Sequence, residues 1–249
     1  MAMIFRVLGQ LVLLTLEMTR CFFSHRPEMG AWIVQAYHLG VRSLTIATIP
    51  AVFTGMVLAL QSSFALSSFG SELYVSDLVS VSIVRELGPV LTSLLVGGRV
   101  GSGIAAELGT MKVTQQLDAM RAMATNPVQK LVIPRVLSFT ICLPALTIIS
   151  SLMGILGGLA LSAIELNLDG HYFLSHAIQA LSVGDIISGV GKTFFFGFFI
   201  AIIACNNGMR VEGGADGVGH ATTETAVTAA IMILISDFFL TKMFSVFGA

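Results

Sequence analysis

The sequence predicts an all-helical integral membrane protein with five transmembrane helices. Hydrophobic residues make up 55% of the 249 residues, and charged residues make up only 11%. A soluble domain usually carries about a quarter charged residues, so this chain has too little polar surface to coat a globule in water. Five stretches reach the roughly 20 apolar residues that a helix needs to span a bilayer.

The chain begins with a segment of a different kind. Arg6, Gln10, Glu17 and Arg20 are spaced so that they follow roughly one face of a helix, and apolar residues occupy the other faces. This pattern predicts an amphipathic helix over residues 1–24 that lies in the membrane interface. No small-residue cleavage motif follows the apolar stretch, which argues against a signal peptide.

The transmembrane spans are predicted from the uninterrupted apolar stretches, with polar segments between them. The stretch 43–69 contains no charged residue, and Pro144 predicts a kink or tilt in the long third stretch. The glycine-rich segment 206–224 has the composition of a loop. The predicted spans are 43–69, 78–106, 136–164, 186–205 and 225–247.

Lysine and arginine are distributed unevenly between the two sides of these spans. The segments 70–77 and 165–185 contain none, and the C-terminal tail contains only Lys242. Because basic residues accumulate in cytoplasmic loops, this asymmetry predicts a cytoplasmic N-terminus and a C-terminus outside. The basic residues on the predicted cytoplasmic side are Arg6, Arg20, Arg26, Arg42, Lys112, Arg121, Lys130, Arg135 and Arg210.

Ionisable residues inside the predicted spans are the strongest indication of a site. Glu86, Lys192 and Asp237 lie about 12, 9 and 7 Å from the predicted outer face, at about 1.5 Å of rise per residue. A charge near mid-bilayer is costly, so it usually faces a partner or a watery cavity. We expect these three residues, with the adjacent Arg85, to form a mutually neutralising network. The network either clamps helices together or lines a cavity that tolerates polar groups.

Two further sequence patterns each have two interpretations. Gly97 and Gly101 form a GxxxG ridge that predicts close helix packing, with a flexible hinge as the other interpretation. The segment 107–123 has apolar residues at helical spacing and is predicted to be a short amphipathic helix in a cytoplasmic loop. It is either a simple interfacial helix or a coupling helix whose methionine-rich surface docks in a groove of a cytoplasmic partner.

Several function classes are excluded. The net charge of −1 argues against nucleic-acid binding, which needs a basic footprint. Gly191-Lys192-Thr193 ends like a phosphate-binding loop but lacks the required first glycine, so the chain is not expected to be an ATPase. His171 and His176 show no metal-ligand spacing, and neither metal nor cofactor is expected.

Several characteristic motifs lie between residues 85 and 120. They are Arg85-Glu86-Leu87-Gly88-Pro89-Val90-Leu91, Gly98-Arg99-Val100-Gly101-Ser102, Ala105-Ala106-Glu107-Leu108-Gly109-Thr110-Met111 and Leu117-Asp118-Ala119-Met120. These motifs resemble the MlaE (YrbE) permease family, the membrane subunit of MCE-type lipid ABC transporters. The resemblance is dense over about residues 40–160 and continues collinearly to the end of the sequence, whereas the first 35 residues are not diagnostic.

The resemblance implies a homodimer in the bacterial inner membrane that moves phospholipid between the inner and outer membranes and maintains lipid asymmetry. It implies a separate cytoplasmic ABC ATPase, which binds ATP and Mg, a STAS-domain protein, and a periplasmic MCE-domain hexamer. It places Glu86, Lys192 and Asp237 where the family carries membrane-embedded charges, and it suggests Leu58, Leu66 and Leu87 as cavity wall. The residues that it assigns to ATPase coupling are Glu107, Met111, Lys112, Gln115, Gln116, Asp118, Met120 and Arg121.

Three other functions are also compatible with parts of the sequence pattern. An ion-coupled secondary transporter or channel also uses buried charges but acts without an ATPase. A lipid-modifying enzyme would need clustered acids or histidines at the interface, which the sequence lacks. A purely structural scaffold would move no lipid.

Overall fold

The computed structural model describes residues 2–24, 29–67, 70–165 and 168–246, and these residues are helical throughout apart from short turns, with no strand. Five helical stretches are long and apolar enough to cross a membrane, which confirms the predicted fold class. They are Trp32–Ser67, Val75–Val113, Val128–Glu165, Val183–Met209 and Gly214–Val246.

Ten α-helices occur in the described residues. Short 3-10 turns at Val41–Ser43 and Glu72–Tyr74 precede α3 and α4. π-helical segments at Ile83–Leu87 and Val128–Val132 precede α5 and α7. The helices are α1 (Ala2–Ser24), α2 (Met29–Leu39), α3 (Leu44–Ser67), α4 (Val75–Ser82), α5 (Gly88–Val113), α6 (Gln116–Ala122), α7 (Ile133–Glu165), α8 (Gly170–Ala180), α9 (Val183–Met209) and α10 (Gly214–Val246).

These boundaries differ from the predicted spans in several places. The first candidate span begins at Trp32, because α2 and the turn after it precede α3. α7 continues through Pro144 as one helix. The last residues of the predicted spans 43–69 and 225–247, and the first residue of the predicted helix 1–24, lie outside the described residues.

Two segments predicted as loops are largely helical. The segment 165–185 contains α8. In the glycine-rich segment 206–224, α9 continues to Met209 and α10 begins at Gly214, so only a short turn remains. That turn needs glycine, because Gly213 and Gly214 have φ angles of 89° and 71°. Gly208 instead gives close packing, since a Cβ there would lie 2.9 Å from the Ala105 carbonyl oxygen.

The prediction of one continuous helix over 107–123 is also wrong. α5 continues to Val113, and a turn at Thr114–Gln115 separates it from α6. Gln115 adopts a left-handed conformation with φ of 60°, which stops the helix and redirects the chain. Lys112 and Asp118 form an ion pair of 3.1 Å across this break.

The described residues fall into two compact units. Unit 1 comprises the ranges 1–42, 96–142 and 195–233, and unit 2 comprises 43–95, 143–194 and 234–249. In unit 1, the predicted ridge residues Gly97 and Gly101 pack against Ile200 of α9. The exposed Val12, Leu13 and Leu16 give α1 an apolar face, as expected for a helix at a membrane interface.

Unit 2 has its own apolar core. α4 packs against α8, and Phe173 of α8 is 1% exposed. α3 and α7 approach so closely that a Cβ on Gly55 would collide with the Gly154 carbonyl. The buried core residues are Ala59, Val75, Val79, Ile83, Ile155, Phe173 and Ala177.

Gly157 gives a direct test of this helix contact. A Cβ at Gly157 would overlap the carbonyl oxygen of Val52, and the backbone cannot move aside as a flexible side chain would. We expect Gly157→Ala to lower the yield of folded protein severely, measured by fluorescence-detected size-exclusion chromatography in detergent. Gly103→Ala is the matched control, because nothing lies within 4 Å of a Cβ there. Equal yields of the two variants would contradict this packing.

Candidate functional site

A fully buried lysine is the centre of the candidate site in unit 2. Lys192, on α9, has 0% of its side chain exposed. Its Nζ lies 2.7 Å from Glu86 Oε2 and 3.3 Å from Asp237 Oδ1. The three ionisable groups that the sequence placed at similar depths on different spans therefore meet in one cluster. We call Glu86, Lys192, Asp237 and Thr241 the Lys192 network.

Thr241 belongs to this network and was not predicted from the sequence. Its Oγ1 accepts a hydrogen bond from Lys192 Nζ at 2.6 Å and lies 3.3 Å from Glu86 Oε1, to which it donates. Thr241 follows Asp237 by four residues on α10, so the two side chains lie on one helical face. That spacing is the signal that could have found it.

The backbone around Glu86 also contributes. Arg85 and Glu86 lie in the π-helical segment Ile83–Leu87, and Lys192 Nζ donates to the Arg85 carbonyl at 3.3 Å. π-helical turns within longer helices are common at functional sites.

The Arg85 side chain makes a separate ion pair. Its Nη1 lies 3.4 Å from Asp185 Oδ1. Asp185 Oδ2 in turn accepts hydrogen bonds from the backbone nitrogen and the hydroxyl of Ser182, at 3.0 and 2.7 Å, near the start of α9. Asp185 was placed in a loop from the sequence, although it precedes Lys192 by two helical turns. Arg85 is therefore neutralised by Asp185, and only its carbonyl reaches Lys192.

A small apolar cavity of about 20 Å³ also lies within unit 2. Leu87, Leu91 and Leu95 line it on the α5 side. Ser150 of α7 lines it too, and its buried hydroxyl has no hydrogen-bond partner among the described residues. Of the predicted wall residues, Leu87 lines this cavity, whereas Leu58 and Leu66 are partly buried against the unit 2 core.

Comparison with known proteins decides the family. The profile of the family described as Permease MlaE matches residues 32–243. The chain belongs to the MlaE permease family. A relative from Haemophilus influenzae, named intermembrane phospholipid transport system permease protein MlaE, is 38% identical over 225 residues, covering 90% of this chain and 85% of the relative.

Two other relatives are named probable ABC transporter permease proteins. The protein from Rickettsia conorii is 42% identical over 221 residues, covering 88% of this chain and 85% of its own length. The protein from Synechocystis is 41% identical over 202 residues, covering 81% and 77% respectively. The family match covers all five candidate spans apart from the last residues of the fifth.

In this MlaE-family permease, the predicted coupling segment presents a polar surface. Leu108 and Leu117 are buried in unit 1, and Met111 and Met120 are half-buried. Met111 and Met120 therefore pack partly against the chain itself, whereas Met123 is exposed beside the charged and polar groups. The exposed residues predicted for coupling are Glu107, Gln115, Gln116, Asp118 and Arg121.

A polar cleft lies beside α6 in unit 1. It has a volume of about 360 Å³ and is lined by Glu17, Arg121, Asn126 and Met209, among others. α1 also packs on the π-helical segment Val128–Val132. The proximity of the N-terminal helix to the coupling segment could not be predicted from the sequence, because the periodicity of one helix does not show which other helix it contacts.

An ion pair with one buried partner links α5 to α7 in unit 1. Arg135 Nη2 lies 2.7 Å from Glu107 Oε1, and Arg135 is only 3% exposed whereas Glu107 is 57% exposed. Arg135 Nη1 also donates to the Leu131 carbonyl at 2.8 Å. The sequence predicts only that Arg135 is one of the basic residues on the cytoplasmic side and that Glu107 contacts the ATPase. The ion pair between them was not predicted.

The described residues contain no group of three or more His, Cys, Asp or Glu that could hold a metal ion. His176 lies 3.7 Å from Asp77 and stacks on Tyr172. His171, the other histidine considered in the sequence, is not part of this contact. The contact between His176 and Asp77 joins α8 to α4.

Proposed function

We propose that this chain is the membrane subunit of an ATP-driven transporter that moves phospholipid between the inner and outer membranes. The observation that carries the proposal is the Lys192 network inside three membrane-spanning helices of an MlaE-family chain. Charged groups in the bilayer mark substrate pathways when they face a cavity or a polar ligand. The Haemophilus influenzae relative, whose name describes intermembrane phospholipid transport, supports the substrate class.

The proposed division of labour follows the chemistry of a phospholipid. Glu86 and Asp237 are 35% and 20% exposed, so their carboxylates remain accessible to a headgroup although Lys192 is fully enclosed. Leu58, Leu66 and Leu87 are proposed to contact acyl chains. The apolar lining around Leu87 supports this role, because alkyl chains are stabilised where apolar surface excludes water.

Energy is proposed to come from a separate cytoplasmic ABC ATPase, which binds ATP and Mg. The polar face of α6, with Glu107, Met111 and Lys112 at the end of α5, is the proposed contact. This assignment puts the N-terminus in the cytoplasm and the C-terminus in the periplasm, in agreement with the distribution of lysine and arginine. The permease is proposed to work as a homodimer with a STAS-domain protein and a periplasmic MCE-domain hexamer.

The proposal is tested by reconstituting the permease with its ATPase in liposomes and following labelled phospholipid into acceptor vesicles. Transfer is expected to need ATP and to be lost with an ATPase variant that cannot hydrolyse it. An ion-coupled transporter would instead move substrate without the ATPase when a proton or sodium gradient is imposed. Transfer driven by a gradient alone would overturn the proposed function.

Arg121 offers a test of the coupling surface. Its side chain is 57% exposed, and its Nη1 lies 3.3 Å from Asp118 Oδ1. We expect Arg121→Glu to weaken ATPase binding by roughly tenfold or more. Reversing this charge would bring like charges together, or leave a group of the ATPase unpaired, where the two proteins touch. The measurement is the amount of ATPase that co-purifies with the permease at equal permease levels.

Lys242→Glu is the matched control for this variant. It reverses the same charge at an exposed position of α10 that is expected to lie on the periplasmic side. ATPase recovery with Lys242→Glu should equal that of the wild type. If both reversals bind the ATPase normally, α6 is not the coupling surface.

A further inference from the structure

The proton donors of Lys192 are fully committed. An ammonium group has three N–H donors. Lys192 Nζ donates to Thr241 Oγ1 at 2.6 Å, to Glu86 Oε2 at 2.7 Å and to the Arg85 carbonyl at 3.3 Å. Asp237 Oδ1 lies 3.3 Å from Nζ but is buried without a hydrogen bond from any described residue. One carboxylate oxygen of the network therefore lacks a donor.

The charge of the network is also unbalanced. Lys192 contributes one positive charge, whereas Glu86 and Asp237 contribute two negative charges. Arg85 does not correct this excess, because its guanidinium is paired with Asp185. An uncompensated charge inside a membrane span is costly. One further positive charge that can donate hydrogen bonds would complete the network.

We propose that the Lys192 network selects phospholipids whose headgroup carries a primary ammonium, such as phosphatidylethanolamine. This inference rests on the proposed function and names the substrate class of the same site. A primary ammonium supplies both the missing charge and N–H donors for the partly exposed carboxylates of Asp237 and Glu86. A glycerol headgroup supplies no positive charge, and a choline headgroup supplies charge without an N–H donor.

Arg85 is suited to bind the phosphate of such a headgroup. The Arg85 side chain is 33% exposed, and only Nη1 is engaged with Asp185. A guanidinium has five N–H donors, so most of them remain for a phosphate oxygen. Phosphate at Arg85 and ammonium at Asp237 and Glu86 would place each charge of the zwitterionic headgroup beside a group of opposite charge.

The test measures headgroup preference during ATP-driven transfer. The permease–ATPase complex is placed in liposomes that contain equal amounts of phosphatidylethanolamine, phosphatidylcholine and phosphatidylglycerol, and the lipids reaching acceptor vesicles are quantified by mass spectrometry. For the wild type we expect phosphatidylethanolamine to exceed phosphatidylglycerol by roughly tenfold, the factor that corresponds to one charge-assisted hydrogen bond. Phosphatidylcholine is expected to fall between them.

Asp237→Asn removes the excess negative charge and should bring the ratio of phosphatidylethanolamine to phosphatidylglycerol close to one. Glu86→Gln is a second variant with the same expected effect, in case Asp237→Asn does not assemble. Glu165→Gln is the matched control, because it makes the same acid-to-amide change at an exposed position at the end of α7. It should keep the wild-type ratio.

The outcomes separate this inference from the proposed function. ATP-driven transfer of all three lipids at equal rates by the wild type would overturn the inference, with a proton completing the network, and would leave the proposed function standing. An Asp237→Asn variant that moves less lipid but keeps the wild-type ratio would also overturn it. Absence of ATP-dependent transfer of any lipid would overturn the proposed function and this inference with it.

Discussion

Replacing Lys192 with methionine is expected to prevent the accumulation of folded protein. The side chain is fully buried and is the cation that contacts both Glu86 and Asp237. Its loss leaves two carboxylates next to each other without a counter-charge, at a cost of about 3–5 kcal/mol. This is a large share of the roughly 5–15 kcal/mol by which proteins are usually stable. The measurements are the yield of monodisperse permease in detergent and its apparent Tm.

A neutral network separates the structural role from the transport role. The triple variant Lys192→Met, Glu86→Gln, Asp237→Asn carries no charge in the Lys192 network, so it should recover most of the lost yield. It should still fail to transfer lipid in liposomes, because no carboxylate of the network remains to meet a headgroup. Wild-type transfer by the triple variant would show that the network only clamps helices. A wild-type yield of the single Lys192→Met variant would contradict the burial of the network.

The second large effect is expected at Glu107. Arg135 is 3% exposed, and Glu107 is its carboxylate partner at 2.7 Å. Glu107→Ala leaves this cation with no acidic partner among the described residues, and its Nε already lacks a hydrogen-bond partner there. We expect destabilisation of about 1.5–3 kcal/mol, the range for a hydrogen bond to a charged group. The apparent Tm in detergent measures it.

Replacing one or the other partner of the Glu107–Arg135 ion pair should change stability by different amounts. Arg135→Met leaves Glu107, which is 57% exposed and can be solvated, so its cost should be smaller than that of Glu107→Ala. The double variant Glu107→Ala, Arg135→Met should be more stable than Glu107→Ala alone, because the unpaired buried cation is gone. If Glu107→Ala has the Tm of the wild type, or the double variant is the least stable of the three, the ion pair does not hold the end of α5.

The part of the site that could be predicted from the sequence follows from helix geometry. A fixed rise per residue converts sequence position into depth, so Glu86, Lys192 and Asp237 could be placed at similar levels before any coordinates. The cost of buried charge then required them to meet. Thr241 carries no charge and so gave no such signal, and Asp185 was hidden because the polar residues around it resembled a loop.

The parts that could not be predicted depend on contacts between elements. Glycine is a poor helix former, so 206–224 looked like a loop, yet helix packing outweighs that preference at Gly208. The break at Gln115 needs a left-handed residue, and neither glycine nor proline marks the position. Leu108 and Leu117 gave the amphipathic pattern of 107–123, but periodicity does not say whether an apolar face meets its own chain or a partner.

The most direct test is an electron cryomicroscopy structure of the permease with its ATPase in lipid nanodiscs. The headgroup of a bound phospholipid should lie within hydrogen-bonding distance of Glu86 or Asp237, and its acyl chains should contact Leu87. Lipid bound elsewhere, with Glu86 and Asp237 in contact only with other protein side chains, would contradict a role of the Lys192 network in lipid transport.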